Sequence, residues 1–170
     1  MPPSVIVIMG VSGCGKTTVA QRLSTRLRWQ FAEADDFHTA SNIDKMRAGT
    51  PLTDEDRWPW LAAMRAWIDA TRASGKRCIV TCSALKRVYR ERLATGRDDV
   101  RFVHLTGSYE TIAARMAGRQ HAYMPPGLLQ SQFDTLEAPG ADENPLVLSV
   151  DHEPGTLVEK IVAELSLRPA

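Results

Sequence analysis

Eight consecutive residues near the amino terminus, Gly10-Val11-Ser12-Gly13-Cys14-Gly15-Lys16-Thr17, join three glycines to a Lys-Thr pair. They follow the apolar run Val5-Ile6-Val7-Ile8-Met9 and open a helix-forming segment at Thr18. Strand, glycine loop and helix in that order make a phosphate-binding P-loop. The glycines let the backbone turn tightly and approach a ligand closely, so that successive N–H groups from Gly10 to Thr18 face phosphate oxygens at a helix N-terminus. Lys16 neutralises the outer phosphates, and the Thr17 hydroxyl ligates Mg²⁺. A glycine-rich turn capped by Ser or Thr accounts for the glycines, but not for Lys16 and Thr17 together in a first helical turn.

The rest of the chain must hold that loop and bring a second reactant to it. Val19, Leu23 and Leu27 recur every fourth residue and stripe a helix over about 16–28. Trp29 to Asp36 reads as a short strand ending in carboxylates, where Glu33 and Asp35 share a face if the chain is extended. The carboxyl ends of strands are where open α/β sheets bind ligands. A polar helical excursion, about 37–73, follows: Thr53-Asp54-Glu55-Asp56 has the form of a capping box, with a short turn at 53–57 and a helix proper from about 58 to 73. Trp58, Trp60 and Trp67 read as packing residues of that helix. Cys78-Ile79-Val80-Thr81-Cys82 is a buried-type strand leading into a basic helix over Ser83 to Leu93. Further strands are expected at 100–105 and 146–150, with helices at 109–117, 127–137 and 157–165. Residues 115–127, rich in Arg, Gly and Pro, form a candidate mobile lid. Alternating strands and helices predict an α/β fold, a five-stranded parallel sheet flanked by helices.

Composition narrows the classes. At 170 residues the chain is expected to form a single domain, and 21 Lys plus Arg against 20 Asp plus Glu give a net charge of +1. That balance offers no general attraction to nucleic acid or membrane. Cys14, Cys78 and Cys82 are odd in number and show no metal-ligand spacing, and the longest apolar run near the N-terminus is about five residues, too short for a membrane span of about 20. A cytoplasmic protein is expected. Mechanical ATPases and GTPase switches carry an apolar strand ending in Asp, but the third strand here ends in Thr81-Cys82-Ser83, and no Asp-x-x-Gly or Asn-Lys-x-Asp motif occurs. What remains is a small-acceptor P-loop kinase, which needs a phosphate cradle, a metal, a base that positions the acceptor and a lid with arginines.

Several separated motifs carry a resemblance to one family. Ala34-Asp35-Asp36-Phe37-His38, Asn42-Ile43, Lys45-Met46 and the run from Gly49 to Leu61 are similar to the signature of the P-loop gluconokinases. Cys82-Ser83-Ala84-Leu85-Lys86-Arg87, Tyr89-Arg90, Leu128-Leu129-Gln130-Ser131-Gln132-Phe133 and Leu136-Glu137 extend the resemblance over about residues 5–140. The sequence departs from the common pattern at Cys14, Glu33, Thr39 and the lid stretch His121-Ala122-Tyr123-Met124-Pro125. The resemblance implies transfer of the γ-phosphoryl group of ATP, with Mg²⁺, to the C6 hydroxyl of D-gluconate. A homodimer follows by analogy with the family alone. A shikimate-type or other small-acceptor kinase is the rival within enzymes, and a nucleotide-binding regulator without chemistry is the rival outside them.

With that substrate in view, Lys16, Asp35 and Arg119 are the expected catalytic residues. Asp35 orients the reacting hydroxyl and accepts its proton, or else caps a turn. Glu33 joins Thr17 as a metal-site candidate, or stands behind the metal's waters. His38 touches substrate hydroxyls or is an exposed turn histidine. Arg57, Lys86 and Arg90 are candidates for the gluconate carboxylate, which a planar guanidinium grips through two parallel hydrogen bonds. Ser83 is expected to donate to the substrate, while Arg87 and Arg92 read as a solvated face. Arg115 and Arg119, four apart, could swing over the phosphates on closure. Cys14 reads better as a small residue that fits the loop than as a redox thiol.

Overall fold

Strand β1 (Val5–Met9) is buried along its whole length, and its side chains alternate between two cores. Ile6 and Ile8 join one; Val5, Val7 and Met9 join the other. A strand apolar on both faces belongs inside a parallel sheet covered by helices on both sides. The computed structural model, which describes residues 2–117 and 126–170, places it there. With β2 (Gln30–Glu33), β3 (Cys78–Thr81), β4 (Val100–Thr106) and β5 (Leu146–Ser149) it forms one all-parallel sheet in the order β2-β3-β1-β4-β5. β1 is central, so the loop after it opens where the connections diverge to either side, the crevice that open α/β sheets use for ligands.

Each helix covers the sheet with the stripe its spacing dictates. In α1 (Lys16–Leu27), Val19, Ala20, Leu23 and Leu27 are buried, and Arg28 ends the helix in the left-handed conformation, its N–H bonding the Ser24 carbonyl. The same face receives Leu157, Val158 and Ile161 of α7 (Pro154–Glu164). The opposite face is covered by Trp60, Leu61, Met64 and Ile68 of α3 (Asp54–Ala73) and by Tyr89 and Leu93 of α4 (Arg87–Ala94). Between β2 and α3 the chain makes the short α2 (Ala40–Arg47), and α5 (Tyr109–Ala117) meets α6 (Pro126–Thr135) through an edge-on Tyr109–Phe133 contact at 5.6 Å.

Three local readings need correction. The expected turn at 53–57 is already helix: α3 begins at Asp54 beneath a complete capping box, Thr53 and Asp56 each accepting from the other's backbone N–H. Pro59 is carried inside it because it and Glu55, whose carbonyl loses a partner, are both exposed to water. β2 stops at Glu33, and Ala34–Phe37 form a 3₁₀ turn, so Glu33 and Asp35 do not share the face of an extended strand. The basic helix starts at Arg87 rather than Ser83; Ala84 adopts a left-handed φ of 47°, which breaks any helix across 83–86.

The segment after α6 is fastened to that irregular turn. The Glu137 N–H donates to the Leu85 carbonyl at 2.7 Å, and the Glu137 carboxylate accepts from the Arg87 N–H at 2.9 Å, capping α4 from outside. Arg87 pairs with Asp142, and Arg90 with Glu143. Among the described residues no helix is long and apolar enough to cross a membrane.

Candidate active site

The loop from Gly10 to Gly15 keeps the backbone freedom its glycines promised. Gly10 has φ 145°, and a Cβ there would lie 2.8 Å from both the Leu105 carbonyl oxygen and the Cys14 Sγ, so the loop can pass under β4 only without a side chain. Gly15, at φ 96°, is the N-cap of α1 and supplies no side-chain cap, which leaves the helix's leading N–H groups to the cleft. Lys16 Nζ donates to the carbonyls of Gly10 at 2.9 Å and Val11 at 3.1 Å, folding the ammonium back over the loop. Cys14 is buried beneath it, as a small packing residue would be. Burial pushes the thiols of Cys78 and Cys82 up to about 12, so neither is a nucleophile at neutral pH.

A cleft of about 620 Å³ runs from this loop across the carboxyl ends of β2 and β3. Ser12, Gly13, Gly15, Lys16, Thr17 and Thr18 line it together with Glu33, Asp35, His38, Arg57 and Ser83. The sequence thus names most of what the fold brings together. Register explains the acidic side: Glu33 lies opposite Thr81 in the β2–β3 pairing, and the Thr81 hydroxyl donates to Glu33 Oε2 at 2.9 Å. Glu33 Oε1 is buried without a hydrogen-bond partner among the described residues. An orphaned carboxylate oxygen on a residue that lines the same cleft as Thr17 suits a hard cation or its bound water. Among the described residues no cluster of three His, Cys, Asp or Glu side chains forms a metal cage. Mg²⁺ needs no such cage, because it keeps waters and takes phosphate oxygens beside one or two protein ligands.

His38 stacks on Trp60 with centroids 4.2 Å apart and its Nδ1 lies 3.4 Å from Asn42 Nδ2. Burial lowers its pKa to about 4 against the pull of Asp35, so the ring is neutral at pH 7. Arg57 Nη1 donates to the Leu52 carbonyl at 2.6 Å and to the Tyr89 hydroxyl at 3.1 Å. Ser83 is fixed at the loop by its carbonyl, which accepts from the Gly10 N–H at 3.3 Å.

Three expected residues are placed elsewhere. Arg90 is 2% exposed, bonds Glu143 through Nε at 2.7 Å and Nη2 at 3.1 Å, and gives Nη1 to the Ala84 carbonyl at 2.8 Å. It does not line the cleft; its guanidinium holds the left-handed turn at Ala84, and the expectation that it grips a substrate carboxylate is corrected. Lys86 pairs with Asp54 at 3.1 Å and lines a neighbouring cavity of about 300 Å³ that shares Leu52, Arg57 and Ser131 with the main cleft. Arg115 does not line the cleft either, and its Nη2 donates to the Val150 carbonyl at 2.6 Å. Arg119, His121 and residues 118–125 of the candidate lid lie outside the described residues.

Gln132 was not expected in the site. Its Oε1 accepts from the Ser12 N–H at 2.7 Å, and its Nε2 donates to the Ser12 hydroxyl at 3.2 Å, so α6 holds the P-loop by a two-point contact. Thr81 and Trp60 were also missed. Only the substitution of Thr-Cys-Ser for an acidic strand end pointed toward β3.

A Lys-Thr loop at the centre of a parallel sheet, sharing one cleft with carboxylates and an arginine, defines a P-loop kinase. A family model described as AAA domain matches residues 5–139. The chain is 44% identical to a gluconokinase of Gluconobacter oxydans over 95% of its own length and 91% of the relative's. Among solved structures, an unliganded sugar kinase from Janibacter sp. superposes with a TM-score of 0.93 at 48% identity, covering 99% of this chain and 97% of the other. A gluconokinase from Sinorhizobium meliloti gives 0.85 at 41% identity, covering 96% and 92%. The chain belongs to the gluconokinase family, on the P-loop fold that the AAA-domain model describes.

Proposed function

We propose that this chain transfers the γ-phosphoryl group of ATP to the C6 hydroxyl of D-gluconate, giving 6-phospho-D-gluconate and ADP. The observation that carries this reading is that Lys16 and Thr17 share one cleft with Asp35, His38 and Arg57. A gluconate molecule has a hydroxyl at one end and a carboxylate at the other, and the cleft offers a carboxylate near the phosphate loop and a guanidinium bordering its outer extension.

In this mechanism the loop N–H groups and the α1 N-terminus hold the phosphates, and Lys16 leaves the Gly10 and Val11 carbonyls to neutralise them. Thr17 and Glu33 would hold Mg²⁺, directly or through water, and the ion would neutralise charge on the transferring group. Asp35 orients the acceptor hydroxyl in line with the phosphorus and takes its proton, so positioning contributes most of its effect. Neutral His38 offers hydrogen bonds to substrate hydroxyls without adding charge. Arg57 receives the carboxylate, with Ser83 donating beside it and Lys86 contributing from the adjoining cavity. Arg119 and the lid keep their proposed role over the phosphates, and the homodimer is carried over from the family.

The test is a coupled ADP-release assay with Mg-ATP and a panel of sugar acids, polyols and shikimate, followed by NMR assignment of the phosphorylated carbon. Turnover confined to gluconate and close sugar acids, with phosphate on C6, is expected. Turnover of another acceptor but not gluconate would overturn the reading, and light scattering measures the oligomeric state.

A further inference from the structure

We infer that Tyr89, a buried residue outside the cleft, is a positioning residue that sets the guanidinium of Arg57 for the substrate's carboxylate. The inference rests on the gluconokinase reading and adds to it a determinant of acid selectivity.

Tyr89 is 1% exposed at the start of α4, and its hydroxyl sits between two charged groups. Asp54 accepts from that hydroxyl, and Arg57 Nη1 donates to it at 3.1 Å. The direction of the chain is fixed by chemistry. Asp54 is ionised, held below the usual carboxylate range by the Tyr89 and Lys86 hydrogen bonds, so it can only accept. Tyr89 must therefore donate to Asp54, which turns its lone pairs toward Arg57, itself only a donor. The guanidinium also lies 5.2 Å from the centre of the Tyr89 ring, and its Nη1 is anchored at the Leu52 carbonyl.

Both hydrogen bonds use one nitrogen, Nη1. Arg57 Nε and Nη2 have no hydrogen-bond partner among the described residues, and Arg57 lines the cleft. A guanidinium clamped on one nitrogen presents its other edge as a ready fork for a carboxylate. The charges are arranged to match. Asp54 forms its ion pair with Lys86, at 3.1 Å, and reaches Arg57 only through a neutral phenol. The positive charge of Arg57 is thereby steadied but left without a carboxylate of its own among the described residues, which favours an anionic acceptor over a neutral polyol of the same length.

The experiment is a double-mutant cycle of Tyr89→Phe and Arg57→Gln, assayed with Mg-ATP and gluconate beside the wild type. Tyr89→Phe keeps the ring and its packing, with circular dichroism and an unfolding midpoint to verify the fold. It should raise the KM for gluconate about three- to tenfold, the scale of one net hydrogen bond lost at second hand, with kcat and the KM for ATP within about twofold. In the Arg57→Gln background the same change should add nothing. An unchanged gluconate KM in Tyr89→Phe, an equal rise in the Arg57→Gln background, or a loss of stability without a KM effect would overturn the inference. Wild-type enzyme that leaves gluconate untouched would instead overturn the functional reading beneath it.

Discussion

Asp35 and Lys16 divide the chemistry between place and charge. Asp35→Asn keeps the shape of the side chain but removes its charge and proton affinity, and should lower kcat by about 10²-fold or more while calorimetry shows Mg-ATP binding unchanged. Lys16→Ala should abolish turnover, since Lys16 Nζ is the cation that the loop's own Gly10 and Val11 carbonyls hold. Two histidines contribute to the pH dependence of stability between about pH 4 and the 6.5 of an unfolded chain. His38 and the buried His104 both have their pKa lowered to about 4, chiefly by burial, below the 6.5 of an unfolded chain. Between those values the unfolded state binds more protons, so stability falls as pH drops through this window. For His104 the loss from pH 7 to pH 5 is about 2 kcal/mol, measurable by urea unfolding and removed in His104→Gln. Because His38 is neutral well above pH 4, kcat/KM should show no limb from it between pH 6 and 8, and His38→Asn should leave the profile's shape unchanged.

At the scale of elements, the turn between β3 and α4 separates what pattern can show from what only tertiary contact can. The stripes of α1, α3 and α7 were legible because burial against a sheet demands a fixed helical period. The start of α4 was not, because Ser83 to Lys86 have ordinary helix propensities and the left-handed Ala84 is held by Arg90, whose own carboxylate partner is distant. The same cause hid Arg90. Its neighbours Arg87 and Arg92 suggested a charged outer face, while its carboxylate partner, Glu143, lies 53 residues away. Arg90→Ala strands Glu143 and the Ala84 carbonyl, and should cost about 3–5 kcal/mol in chemical denaturation. Where the variant is folded, its gluconate KM should rise less than that of Arg57→Gln. The acidic tip shows the reverse case: Glu33 and Asp35 both line the cleft as expected, but Asp35 does so from a 3₁₀ turn that a four-residue strand could not announce.

Over the whole molecule, the alternation of strands and helices disclosed a parallel sheet, and the P-loop marked where its crevice must lie. Strand order was not written there, nor which loop would face which, because both depend on long-range pairing. The contact between Gln132 and Ser12 spans 120 residues and is the clearest instance. Its consequence concerns how nucleotide enters. An N–H aimed at the cleft already has an internal acceptor, so a phosphate oxygen that uses it must first evict an amide. Arrival of a triphosphate is thus an exchange of partners, and by reciprocity whatever loosens α6 from the loop must also strengthen the hold on phosphate. Gln132→Ala should accordingly lower the Kd for Mg-ATP about two- to fivefold in calorimetry, the scale of one net hydrogen bond. Just beyond the C-terminal end of α6, Glu137 stays bonded to the start of α4, so the helix released by that exchange keeps one anchored end about which to pivot.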